Sequence, residues 1–200
     1  MKKITSIFLV AILYGCGSSV SPVDQGLIDQ VMHIGNGSEP QGLDPHVVTG
    51  VPEHHLLITM CEGLTISNPE GGANLPGMAE SWEISEDGKT YIFNIRKDAK
   101  WSNGDDFVAD DMVWSWMRVL TPSLGSQYPD MLYYVEGAED FNTGVITDFA
   151  KVGVKALDEK TLEVKLNNPT PFFLGLLSHY STWPVHKETV LKFGEIDDRQ

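Results

Sequence analysis

Lys89-Thr90-Tyr91-Ile92-Phe93-Asn94-Ile95-Arg96 is the stretch on which the fold turns. Tyr91, Phe93 and Ile95 alternate with Thr90, Ile92, Asn94 and Arg96, so three large apolar side chains share one face of a strand. Such a face needs a core to cover. Glu80 to Ser85 lies just upstream across Glu86-Asp87-Gly88, and Asp-Gly suits the φ > 0 positions of a tight hairpin turn.

A second hairpin follows further along. Val152 and Val154 alternate with Gly153 and Lys155; beyond Asp158-Glu159-Lys160, Leu162, Val164 and Leu166 alternate with Glu163 and Lys165. Between the hairpins, Ala109 to Leu120 reads as a helix. Asp110 and Asp111 complement the dipole of its first turn, and Met112, Val113, Trp116, Met117 and Leu120 form its buried stripe. Downstream, Asn167 to Pro171 is a break before a short apolar helix from Phe172 to Leu177. Trp183-Pro184-Val185 is expected as a crossing strand and Glu188 to Phe193 as a closing helix. Upstream, Gln30 to Ile34 reads as a short strand, and Ser38 to Pro52 as a Gly- and Pro-rich loop. Pro52 suits the first position of a helix, in which Leu56, Leu57, Met60 and Leu64 recur at helical spacing. The order is mixed α and β with hairpins, not a regular βαβ repeat.

The 200 residues carry 14 Lys+Arg against 28 Asp+Glu, a formal charge of −14, with 42% hydrophobic and 21% charged residues. That is a globular composition. The acidity argues against nucleic acid, whose phosphates call for a basic face, and against electrostatic adhesion to anionic lipid. Met1-Lys2-Lys3 and the apolar run Ile4 to Tyr14 read as a secretory signal, too short to span a membrane. Residues 1–15 are therefore expected to be a leader and 16–29 a polar tether. After processing at Cys16, Cys61 has no partner for an intramolecular disulfide and is expected as a small buried apolar residue.

Chemistry is sparse. There is no Lys-bearing phosphate loop and no Gly-x-Ser-x-Gly elbow. Glu53-His54-His55, with His46 upstream, lacks the i, i+4 spacing of paired ligands on a helix, so these histidines are expected as polar helix-surface residues. The acidic pairs Asp105-Asp106, Asp110-Asp111, Glu139-Asp140 and Asp197-Asp198 read as caps and solvated faces. Most of Trp101, Trp114, Trp116, Tyr133 and Tyr134 are expected in the core. No catalytic residue, cofactor or metal set emerges. A secreted hydrolase using paired carboxylates is the reading from a different class.

The run Asn36-Gly37-Ser38-Glu39-Pro40-Gln41-Gly42-Leu43-Asp44-Pro45-His46 resembles the N-terminal signature of the extracytoplasmic solute-binding proteins of peptide-type ABC transporters, family 5, above all their oligopeptide-binding members. The resemblance continues through Glu62-Gly63-Leu64, Pro76 to Trp82, Lys97 to Asp105, Ala109 to Trp116, Pro169 to Phe173 and Pro184-Val185-His186. Gly15-Cys16 resembles a lipobox, which implies lipidation of Cys16 and a membrane contact through that anchor only.

The resemblance implies a periplasmic-binding-protein-like fold of two lobes closing over a ligand, in the α/β (mixed α+β) class. This chain would supply the first part of lobe I (30–61), an inserted β-rich domain II (62–186) and a return into lobe I (187–200). It also implies a monomeric, extracytoplasmic receptor that captures extended oligopeptides and delivers them to an ABC permease and ATPase complex. The peptide would pair its backbone with Thr49-Gly50-Val51, ahead of Pro52, and Tyr128 would face the cleft. Groups that neutralise the peptide's ends would lie in the other lobe, so these 200 residues alone are expected to bind peptide very weakly. Siblings that bind nickel complexes, haem, sugars or opines are the alternative within the family. Val108 stands where the family often has a hydroxyl cap before the Ala109 helix, which implies a weaker cap.

Overall fold

The structure, a computed structural model, describes residues 20–198. They belong to two compact units divided after Gly37. The expected leader and Cys16 lie outside the described residues.

In the first unit, Pro22–Asp29 forms helix α1 within the expected tether. Ser21 caps it, its Oγ accepting the Asp24 N–H at 3.1 Å, and Pro22 opens it. Gln30 ends it in the left-handed region at φ 56°. The strand expected over Gln30 to Ile34 does not form. The chain turns at Gln30 instead, and no strand lies beside Val31 or Ile34 among the described residues.

In the second unit, α2 (Val51–Met60) leads to a short pair, β1 (Thr65–Ile66) and β2 (Leu75–Pro76). The first hairpin is β3 (Ala79–Ile84) and β4 (Thr90–Ile95), followed by α3 (Ala109–Leu120) and α4 (Ala138–Asn142). The second hairpin is β5 (Val154–Asp158) and β6 (Thr161–Lys165), then α5 (Phe173–Leu176) and α6 (Lys187–Phe193). The hairpins join edge to edge in one antiparallel sheet, β3-β4-β6-β5, with Tyr91 opposite Val164 and Phe93 opposite Leu162. Within the first turn only Gly88 takes positive φ, at 68°, because the connection is longer than a two-residue turn: the Ser85 carbonyl accepts the Gly88 N–H at 2.8 Å.

The apolar faces behave as their spacing predicts. Tyr91, Phe93, Ile95, Leu162 and Val164 are buried against Phe107, Met112, Trp116 and Leu120. Each such side chain contributes roughly 1.5–3 kcal/mol. The helix α3 is buried more widely than a one-sided stripe: Trp114, Ser115 and Arg118 are inside as well, whereas Val113 and Met117 are only partly covered. The reason lies on its second face. Trp183-Pro184-Val185 crosses there, and it forms no ladder: the Trp183 N–H bonds locally to the Tyr180 carbonyl at 3.0 Å, and other groups of the segment go to side chains. The Val185 N–H reaches Ser115 Oγ at 3.0 Å, and the Trp183 carbonyl contacts His46 Nε2 at 2.9 Å.

The α3 cap is rebuilt from inside the helix. Val108 offers no side-chain oxygen, but Asp111 Oδ2 reaches back to the Val108 N–H at 2.9 Å and also holds Trp101 Nε1 at 3.0 Å. Cys61 is exposed rather than buried: it is the C-cap of α2, off the Leu57 side that faces inward, and Met60 is exposed with it. Among the aromatics, Trp114 and Trp116 are buried, Trp101 and Tyr133 partly so, and Tyr134 is exposed against Phe172.

Candidate functional site

The segment Thr49-Gly50-Val51 is held from both sides by its neighbours. Upstream, the Asp44 carbonyl accepts the N–H groups of both Val47 and Val48 at 3.1 Å, closing a turn. Asp44 itself is fixed by Arg118 of α3, Nη1 to Oδ1 at 3.0 Å and Nη2 to Oδ2 at 2.6 Å. His46 turns inward, a correction to the expectation of a surface histidine. Its Nε2–H donates to the Trp183 carbonyl at 2.9 Å, leaving Nδ1 to accept from Arg118 Nη1 at 3.1 Å. Burial first, and the Arg118 charge second, push its pKa down to about 4.

Downstream, Gly50 is the N-cap of α2 in extended conformation, φ −85° and ψ 156°, and its carbonyl accepts the His54 N–H at 3.1 Å. Adjacent peptide groups of an extended chain point to opposite edges. Gly50 thus turns its carbonyl toward the helix, while the Thr49 carbonyl and the Val51 N–H face the other way. Thr49 and Val51 are exposed, and the N–H and C=O of Thr49 and the N–H of Val51 have no hydrogen-bond partner among the described residues. Among those residues no strand pairs with this edge.

Glu53 lies beneath it. The side chain is buried, Oε1 accepts the Gln41 N–H at 2.6 Å, and Oε2 fills the space that a side chain at position 50 would need. Oε2 has no hydrogen-bond partner among the described residues.

Tyr128 and the Thr49 segment meet through Tyr180, which sequence reasoning missed. Tyr180 Oη donates to the Val48 carbonyl at 3.2 Å, and Val48 and Tyr128 both pack on the buried cluster Leu57, Tyr180 and Trp183. Tyr128 stands edge-on to His179 at 5.2 Å and to Tyr180 at 6.2 Å between ring centroids, while His54 approaches Tyr180 at 5.6 Å. Burial, then the neighbouring Tyr128, push the Tyr180 hydroxyl up to about 12. His179 is lowered, by burial first and then by His54, with Asp130 opposing. No sequence pattern flagged Tyr180 or His179; they sit in an irregular turn far from residue 48. A cleft of about 820 Å³ opens elsewhere, between Leu43, Met60, Met78, Trp101 and His186, and none of the four expected ligand residues lines it.

The arrangement offers an open main-chain edge beside a cluster of aromatic rings, Tyr128, His179 and Tyr180. Residues 75–199 match the family model for bacterial extracellular solute-binding proteins, family 5 Middle. The chain is 42% identical over 194 residues to the periplasmic oligopeptide-binding protein OppA of Escherichia coli, covering 94% of this chain and 35% of that protein. It is 37% identical to the oligopeptide-binding protein OppA of Bacillus subtilis, covering 96% and 37%. Among solved structures, Haemophilus influenzae OppA in complex with RPPGFSPFR superposes with a TM-score of 0.75 at 42% identity, over 80% of this chain and 31% of that one. The unliganded open form of the murein tripeptide-binding protein MppA gives 0.72 at 33% identity, over 77% and 30%. The chain thus spans about a third of the length of the relatives it matches. Its α+β architecture is that of the periplasmic binding proteins of the OppA type, and the chain belongs to the bacterial extracellular solute-binding proteins of family 5.

Proposed function

We propose that this chain is part of the extracytoplasmic receptor of an ABC importer, and that it binds oligopeptides in extended form along Thr49-Gly50-Val51. The observation that carries the reading is the open edge: three main-chain hydrogen-bonding groups on one side of an extended segment, fixed in place and unpaired. A peptide strand added there gains main-chain hydrogen bonds whatever its side chains are. Gly50 lets the segment lie directly on the Glu53 carboxylate, which occupies the space a Cβ would need. Tyr128, half-buried and packed on the buried Tyr180, supplies an aromatic surface near it. The OppA names of the relatives support the ligand class.

In this reading the ligand bridges two lobes and favours their closed arrangement, and a permease and ATPase take delivery. The receptor is held at the membrane by acyl chains on Cys16; the support for that anchor is the sequence Leu13-Tyr14-Gly15-Cys16. No chemical step is assigned to the protein.

Calorimetry on the protein from its full reading frame tests this. Short peptides of unrelated sequence should bind with similar affinity, and N-methylation of the amide that faces Thr49 should weaken binding about tenfold or more. Silence toward every peptide tried would sink the proposal.

A further inference from the structure

A second cluster of donor groups lies at the start of α6. His186 Nε2 is 3.0 Å from Glu188 Oε2 and 3.3 Å from Asp105 Oδ2, and the three donor atoms all lie within 4.8 Å of one another. We propose that Asp105, His186 and Glu188 form a binding site for a divalent transition cation of the zinc class. The proposal is independent of the peptide reading.

The spacing suits it. With metal–nitrogen and metal–oxygen bonds of about 2.0–2.2 Å, neighbouring ligands of a tetrahedral shell stand roughly 3.3 Å apart. The donor set of one imidazole and two carboxylates is that of zinc, iron or manganese sites, whereas magnesium and calcium favour oxygen alone. Charge agrees as well: among the described residues neither Asp105 nor Glu188 is paired with a Lys or Arg, since Lys100 goes to Asp106.

Two of the donors are aimed in advance. The His186 ring packs edge-on against Trp101, centroids 5.1 Å apart, and only 14% of its side chain is exposed. Its Nδ1 lies 2.8 Å from Thr189 Oγ1 and accepts the Thr189 N–H at 3.3 Å as the cap of α6; a cation on Nε2 calls for the Nδ1–H tautomer, which keeps the contact with Oγ1 and gives up the longer one. Asn103 Nδ2 donates to Asp105 Oδ2 at 2.6 Å, and the Asp105 carbonyl accepts the Trp101 N–H at 2.9 Å. A bound ion would staple the 101–105 turn to the head of α6. Spacing along the sequence hides the cluster, because Asp105 and His186 are far apart in the chain.

The test uses the full chain stripped with chelator and titrated with Co²⁺, followed by visible absorption, and with Zn²⁺, followed by melting temperature. One equivalent of Co²⁺ should raise ligand-field bands, and Zn²⁺ should raise the melting temperature. Asp105→Asn, Glu188→Gln and His186→Asn should each weaken both effects about tenfold or more. The last keeps a capping side chain ahead of α6, so a loss of cap is not mistaken for a loss of ligand. Replacing the exposed His55 by Ala should leave both readouts unchanged. Absence of saturable binding at millimolar metal, or bands that survive in all three variants, would overturn the site.

Discussion

Arg118 and Asp44 form a two-pronged ion pair across 74 positions of sequence, with only 1% and 6% of their side chains exposed. It ties α3 to the turn that carries the Thr49 segment. Such a pair is weak evidence of net stability, because desolvating both charges offsets their attraction; removing one partner is another matter. Asp44→Asn leaves a buried guanidinium uncompensated and should cost about 3–5 kcal/mol in urea unfolding, with an unchanged m-value. Arg118→Lys should rescue little, since an ammonium cannot bond both oxygens in the same fork. A loss below about 1 kcal/mol for Asp44→Asn would show that the turn is held by other contacts.

That pair also marks where the sequence becomes opaque. Both hairpins and α3 were legible because alternation and helical spacing are local patterns, and Phe93, Leu162 and Trp116 obey them. Arg118 within a helix carries no sign that its partner lies 74 residues upstream. Trp183 to Val185 misled because its extended backbone reads as a strand, while its hydrogen bonds go to the nearby Tyr180 carbonyl and to the Ser115 and His46 side chains. The edge at Thr49 was legible only through family resemblance, since an unpaired backbone leaves no trace in residue type. Tyr180, which joins that edge to Tyr128, had no signal at all.

His46 gives the fold an acid sensitivity. Burial and Arg118 lower its pKa from 6.5 to about 4, so it stays neutral in the folded chain while the unfolded chain takes up a proton near 6.5. Its contribution is therefore whole above pH 6.5, shrinks as pH falls, and is lost once pH drops through 4. The upper bound is about 3 kcal/mol. The carboxylates Asp87, Asp106 and Asp158, held low by their hydrogen bonds, keep their contribution above 3.8 and lose it only as pH falls below that value. Stability measured from pH 7 to 4 should thus decline in the wild type, and His46→Gln should flatten that slope. An equal slope in both proteins would remove His46 from the account.

Gly63 is required by the tryptophan above it. A Cβ there would collide with the Trp183 indole, 2.6 Å from Nε1, and with the Leu177 carbonyl at 2.7 Å. Neither is the loose end of a flexible side chain. Gly63→Ala should destabilise by about 1–3 kcal/mol and alter the near-ultraviolet circular dichroism of Trp183. An unchanged spectrum would mean the backbone yields instead of the ring.

The cap of α3 makes a prediction about compensation. Because Asp111 already satisfies the Val108 N–H and Trp101 Nε1, Asp111→Ala should cost about 1–2 kcal/mol, more than an exposed helix-start acid would. Val108→Thr adds a hydroxyl for the orphan N–H groups of the first turn and should gain about 0.5–1 kcal/mol. Chemical denaturation of both variants decides it; a gain from Val108→Thr larger than the loss from Asp111→Ala would reverse the assignment of the principal cap.

Gly50 and Glu53 should behave as one unit. A Cβ at position 50 would land on Glu53 Oε2, which is buried and tethered through Oε1 to the Gln41 N–H. Gly50→Ala alone must expel that carboxylate, at a cost of about 1–3 kcal/mol. Glu53→Ala alone leaves the Gln41 N–H unbonded and should cost about 1–3 kcal/mol. With both changes the methyl group enters vacated space, so the double variant should be more stable than the sum of the single losses by about 1 kcal/mol or more. Strict additivity would mean that the carboxylate swings away freely, and that the surface under the Thr49 edge is softer than its burial implies.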